Sequence, residues 1–213
     1  LVDYSATEMA EYTKVELPFD GKYIYQIASG QAVSVAAQAL QSYVIERFGT
    51  DEMSVLEVGS GIGIVSIMLA LQRPQWQISG IEIQAKLCDI ARYNAQLCDV
   101  EVDFFLVDLR SFDKGKYNLI LSNPPWLKLG SGLLSPDAGK NMSRFEITCT
   151  TADICELIRR SLSAAGRAVL LYPDFRVADI ILHAQKSSLD ILERFSVPDS
   201  KGYVILQLAL AKH

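Results

Sequence analysis

The stretch Ser54-Val55-Leu56-Glu57-Val58-Gly59-Ser60-Gly61-Ile62-Gly63 decides the architecture of this chain. Five residues of strand character run into a turn with glycine at every second position. An apolar helix follows over 64–71 and ends before Pro74. Strand, glycine turn and helix together open a βαβ unit. Reading outward, 77–81 is a second strand. The segment 85–97 is a helix, with Leu87, Ile90, Ala91, Asn94 and Leu97 on one face. Strands three and four fall at 102–107 and 117–121. A helix is expected over 153–162 with Gly166 as its stop, a fifth strand at 168–172 and a helix at 177–186. The last two strands, 191–197 and 203–211, pair through the turn at 198–202.

Strands separated by helices imply right-handed crossovers and a parallel sheet. The final pair has no helix between its strands, so one of them runs backwards. The expected fold is α/β, a seven-stranded mostly parallel sheet with one antiparallel strand and helices on both faces. Residues 51–213 form this domain. Residues 1–50 read as a helical or irregular extension, with a helix over 32–48 covering one end of the sheet.

Composition bounds the function. The chain has 213 residues, 50% hydrophobic and 21% charged, which excludes a disordered protein. The net charge of −5 argues against a strongly basic nucleic-acid binder. That charge is uneven: residues 1–57 hold nine acids and three bases, a net of −6, leaving +1 for the remainder. An anionic partner of the later region is thus compatible with the sequence. Cys88, Cys98, Cys149 and Cys155 lack metal-ligand spacing, and only His183 and His213 could join them, so no metal is expected. They read as buried thiols in a reducing, cytoplasmic setting. No apolar run approaches the ~20 residues of a membrane span.

The glycine turn is a ligand site. Glycines permit positive φ and let a ligand lie on bare backbone, here at the carboxyl ends of the strands. Its spacing is G-x-G-x-G, with Ile64 where a dinucleotide motif would place its third glycine. Glu57 would repel a pyrophosphate but suits an ammonium group. Glu82 follows strand two, where a carboxylate accepts ribose hydroxyls. Asp108 follows strand three, where it can accept from an adenine amino group, with Ile83 and Leu109 on the two ring faces. An ammonium, a ribose and an adenine without phosphate describe S-adenosylmethionine. Gly59, Ser60, Gly61, Gly63 and Asn123 complete the expected cofactor set.

Strand four ends in Ser122-Asn123-Pro124-Pro125-Trp126. Two prolines fix their φ angles and remove two amide donors. The Asn123 side-chain oxygen and the Pro124 carbonyl can then accept both hydrogens of one planar NH₂ group, and Trp126 offers a stacking face. Withdrawing those hydrogens localises the nitrogen lone pair for in-line attack on a methyl group. Asn123, Pro124, Pro125 and Trp126 are therefore the expected catalytic residues.

These two motifs resemble the Rossmann-like class I S-adenosylmethionine-dependent methyltransferases, over residues ~53–211. The loop 127–136 and the segment Ser143-Arg144-Phe145-Glu146 resemble, more narrowly, the bacterial tRNA(Val) adenine-37 N6-methyltransferases, as does Tyr25-Gln26-Ile27-Ala28-Ser29-Gly30-Gln31. Trp126 stands where that family usually has Tyr or Phe. The resemblance implies an RNA substrate, tRNA, whose adenine is turned out of its loop. Lys128 and Arg144 are substrate-binding candidates. Arg159, Arg160, Arg167 and Arg176 are candidates for a phosphate-contacting rim, as is Lys22. A release-factor glutamine amide or guanine N2 of rRNA as acceptor stays open, as does a non-catalytic binding protein of this fold. The oligomeric state is left open.

Overall fold

The computed structural model describes residues 11–27, 35–124, 149–200 and 202–212. Its element order is β1 (Tyr12–Glu16), β2 (Tyr23–Ile27), α1 (Val35–Arg47), β3 (Ser54–Val58), α2 (Ile64–Gln72), β4 (Gln77–Glu82) and α3 (Ala85–Cys98). There follow β5 (Asp103–Leu106), β6 (Tyr117–Ser122), α4 (Thr151–Ser161), β7 (Leu162–Pro173), α5 (Val177–Lys186), β8 (Leu189–Ser196) and β9 (Tyr203–Leu210).

Seven strands form one sheet in the order β5-β4-β3-β6-β7-β9-β8. Strands β5 to β7 pair in parallel, while β9 is antiparallel to both β7 and β8. The single reversed strand is thus β9, as the missing final crossover requires.

The central strands alternate between two apolar cores. Val55, Leu119, Leu121, Val169 and Leu171 face one way and pack with residues of α1, α2 and α3. Leu56, Ile120, Leu170 and Tyr172 face the other way, toward α4 and α5. Side chains on successive strand residues point to opposite faces, so an unbroken apolar run is the signature of a strand covered on both sides. The expected helices on both faces are present.

Three expectations are corrected. Residues 12–27 are not helical or irregular but form an antiparallel hairpin, β1–β2, closed by Leu17 N to Lys22 O at 3.0 Å. The Asp20-Gly21 pair at its tip, between the β-branched and aromatic residues of Tyr12–Val15 and Tyr23–Ile27, was the available signal. Gly166 does not stop α4, which ends at Ser161; it lies inside β7, where an added Cβ would stand 2.8 Å from Leu162 Cδ1. Close packing rather than helix termination accounts for that glycine. Finally, α4 begins at Thr151, because Thr150 and Asp153 form a reciprocal capping box.

Candidate functional site

The glycine turn leaves the carboxyl end of β3 at the centre of the sheet. Gly59 N and Ser60 N both donate to Ile81 O, at 2.9 and 3.0 Å, which pins the turn to β4. Gly59 and Gly61 have φ of 72° and 55°, a region that favours glycine, and an added Cβ at either would meet open space. The turn is therefore a cradle with room along its backbone. Ser60 Oγ is buried beside it without a hydrogen-bond partner among the described residues.

Glu57 does more than the sequence reading allowed. Its carboxylate is 4% exposed, and Oε2 accepts from Ser66 N at 3.0 Å and from Ser66 Oγ. Gly63 sits at the N-cap of α2 and has no side chain to offer, so Glu57 supplies the cap from across the turn. Burial pushes its carboxyl up to about 7, against the downward pull of the two Ser66 hydrogen bonds. The other oxygen makes no hydrogen bond among the described residues.

Glu82 stands at the end of β4, 7% exposed. Oε2 accepts from Gly61 N at 2.9 Å, and Oε1 from Ile83 N at 3.0 Å and Gln84 N at 2.9 Å. Burial raises its carboxyl pKa, opposed by these three backbone donors. Asp108 follows β5 and is held by one arginine. Arg110 donates from its backbone N at 2.9 Å and from Nε at 3.0 Å to Oδ1, and from Nη2 to Oδ2. The Arg110 side-chain hydrogen bonds hold Asp108 below the usual carboxylate range. The three acids do share one edge of the sheet.

The expected sandwich of Ile83 and Leu109 is only half assembled. Ile83 is 37% exposed and available as an apolar wall. Leu109 instead packs into the core beneath α4, with Phe112, Tyr117 and Ile158, because a 3-10 turn over Leu109–Ser111 carries it inward. Leu106, paired in register with Glu82, is the second exposed apolar side chain here.

The acceptor motif emerges beside the cradle. Val58 and Ser122 are register partners of the parallel pair β3–β6, so Gly59 and Asn123 leave the sheet side by side. Ser122 Oγ donates to Val58 O at 2.7 Å, buried, and locks the two strand ends together. Asn123 is half-buried and Pro124 buried. Pro125, Trp126, Lys128 and Arg144 lie outside the described residues, as does most of the segment from residue 25 to 31.

Of the candidate rim arginines, Arg176 is withdrawn by burial, and the others also meet partners within the chain. Arg176 is buried and donates to Thr151 Oγ1 at 3.0 Å and Asp179 Oδ2 at 2.7 Å. Arg160 donates to the carbonyls of Leu109 and Phe112, and Arg159 pairs with Glu156 at 2.6 Å. Arg167 donates to the carbonyls of Ala165 and Gly166. Lys22 donates to Cys98 O at 2.7 Å, fastening the hairpin to the last turn of α3. Arg159, Arg167 and Arg176 thus meet partners close by in the chain, Arg176 also reaching Thr151, while Arg160 and Lys22 meet backbone carbonyls distant in sequence. Sequence reasoning missed Asn94, read only as a helix-face residue. It is fully buried and bonded to both β2 and the glycine turn.

A sheet of this order, with a glycine cradle and acids at successive strand ends, defines a class I S-adenosylmethionine-dependent methyltransferase domain. The residues present fit that cofactor: open space above Gly59 and Gly61, carboxylates where a cation and hydroxyls would lie, and no basic group in the turn. A methyltransferase from Pyrococcus furiosus shares the fold at TM-score 0.68 and 15% identity, covering 92% of each chain. The chain belongs to the methyltransferase small domain family, whose model matches residues 27–151. A tRNA1(Val) (adenine(37)-N6)-methyltransferase of Porphyromonas gingivalis is 32% identical over 144 residues, 64% of this chain. This chain spans 56% of that relative's length. A release factor glutamine methyltransferase of Streptococcus pneumoniae is 33% identical over 75 residues, 35% of this chain and 27% of its own. Among the described residues no group of three or more His, Cys, Asp or Glu could hold a metal ion, and no helix is long and apolar enough to cross a membrane.

Proposed function

We propose that this chain carries out S-adenosylmethionine-dependent N-methylation, with adenine N6 of a tRNA as acceptor. The observation that carries the reading is the Val58–Ser122 register, which sets the cradle and Asn123-Pro124 next to each other. Likeness to the Porphyromonas tRNA enzyme supports the choice of acceptor. S-adenosylmethionine supplies, when bound, a methyl group on a positively charged sulfur. Gly59 and Gly61 give it bare backbone, Glu57 and Glu82 face its ammonium and ribose ends, and Asp108 with Ile83 receives the adenine. Asn123 and the Pro124 carbonyl accept the two hydrogens of the acceptor NH₂, which orients it and raises electron density on nitrogen. Pro125 fixes the turn, and Trp126 stacks on the base. Lys128 and Arg144 contact substrate. Residues 51–213 form the catalytic domain, to which 1–50 are an extension. A cytoplasmic location follows from a tRNA substrate.

The test is transfer of tritiated methyl groups with total tRNA, ribosomes and release factor offered in parallel. Label in tRNA at adenine N6, lost in Asn123→Ala, is the expected result. Label in release factor alone would replace this acceptor with a glutamine amide, the chemistry of the Streptococcus relative.

A further inference from the structure

Asn94 lies in α3, fully buried, with its carboxamide committed to backbone groups of two other segments. Oδ1 accepts from Tyr25 N at 2.8 Å. Nδ2 donates to Tyr25 O at 2.9 Å and to Ile62 O at 3.0 Å. Both amide hydrogens are thereby used, one on strand β2 and one on the glycine turn.

The placement matters because of what flanks Ile62. Gly61 and Gly63 have φ of 55° and 84°, and glycine imposes little preference of its own on either side. The Ile62–Gly63 peptide is held on one side from within the turn, by Gly63 N donating to Ser60 O at 2.9 Å, and on the other by Asn94, the side-chain partner of the Ile62 carbonyl. Glu82 holds the preceding side of the turn through Gly61 N, so the turn is stretched between two side chains. One of them, Asn94, also grips the hairpin. Lys22 Nζ to Cys98 O and Cys98 Sγ to Tyr23 O seat the same hairpin on the same helix.

We infer that Asn94 is a positioning residue for the cofactor: it sets the glycine turn by reference to the β1–β2 hairpin, so the hairpin supports the cofactor site through α3. The inference rests on the cradle binding S-adenosylmethionine. A buried amide that loses its bonds leaves Tyr25 and Ile62 carbonyls unpaired, which loosens the turn even in a folded protein.

The experiment titrates the full chain with S-adenosylmethionine by calorimetry, together with thermal melts. Asn94→Leu keeps the volume and removes all three bonds; its affinity should fall about tenfold. Leu189→Ala, in the core at the far edge strand, serves as a control for lost stability and should bind within about twofold of the parent. Lys22→Met works from the hairpin side and should weaken binding about threefold. Added to Asn94→Leu it should do nothing further, since the connection is already cut. Unchanged affinity in a folded Asn94→Leu, or equal loss in the control, overturns the inference. Should Asn94→Leu fail to fold, undiminished binding by Lys22→Met overturns it instead. Absence of binding by the parent chain would sink the cofactor reading itself, a separate outcome.

Discussion

The ends of β3 and β5 each carry an acid at the same edge of the sheet, and the fold treats the two in opposite ways. Glu57 is buried, caps α2 through Ser66, and has its carboxyl raised to about 7 by burial. Asp108 is more exposed, is held by Arg110, and has its carboxyl lowered. In sequence both are one acid after a short apolar run. The difference teaches that an acid at a strand end serves first the element that follows it. After β3 that element is a helix whose cap position is a glycine; after β5 it is a 3-10 turn with an arginine in reach.

The sharpest way to break this comparison is Glu57→Ala. It removes the cap and a candidate cofactor contact at once. We expect about a hundredfold weaker S-adenosylmethionine binding by calorimetry at pH 8 and a stability loss of about 2 kcal/mol in urea melts at pH 5. A loss of binding without any loss of stability would refute the capping role.

The second effect follows pH. Because the folded pKa of Glu57 lies above its unfolded value, its contribution to stability is complete below pH ~4.5 and is lost as pH rises through about 7. The full span is on the order of 3 kcal/mol. Glu57→Gln should flatten that part of the profile, read as urea stability at pH 5 and pH 8. Affinity for a cationic cofactor should run the other way, tightening in the parent as pH rises through about 7. A parent profile identical to that of Glu57→Gln would show that Glu57 does not titrate in this range.

Asp108→Ala should have a smaller and purely local effect. Binding should weaken about tenfold, the loss of one charged hydrogen bond, with the melting temperature nearly unchanged. Smallest of all is Arg110→Ala. The Asp108–Arg110 pair is exposed, so stability should shift by less than about 0.5 kcal/mol. A large loss of stability in Arg110→Ala would make the β5 end as structural as the β3 end, erasing the contrast.

The same contrast marks what was legible in the sequence. Central strands such as Val55–Val58 and Leu119–Leu121 announce themselves because burial on both faces removes polar alternation. Glu57, Gly59, Glu82, Asp108 and Asn123 were legible as neighbours at one edge of the sheet because parallel topology carries all strand ends to a common edge. The partners of these residues were not. Asn94 meets Tyr25 across 69 residues and Ile62 across 32, and no local pattern encodes such a meeting. Leu109 was assigned to the cleft because it follows Asp108, but a three-residue turn reverses its direction. Arg176 looked like surface charge, yet Thr151 and Asp179 close over it. The hairpin was misread for a different reason: its strands are five residues each, too short for alternation to outweigh the helical reading of the extension.

The bond from Ser122 Oγ to Val58 O has a consequence for how such a domain can be retargeted. It fixes the origin from which both the donor arm and the acceptor arm are measured. The residues between Pro124 and Cys149 can then be exchanged for a sequence that grips a different molecule, while the distance between donor and acceptor stays where the two strands put it. A change of client need not disturb the alignment of the transfer.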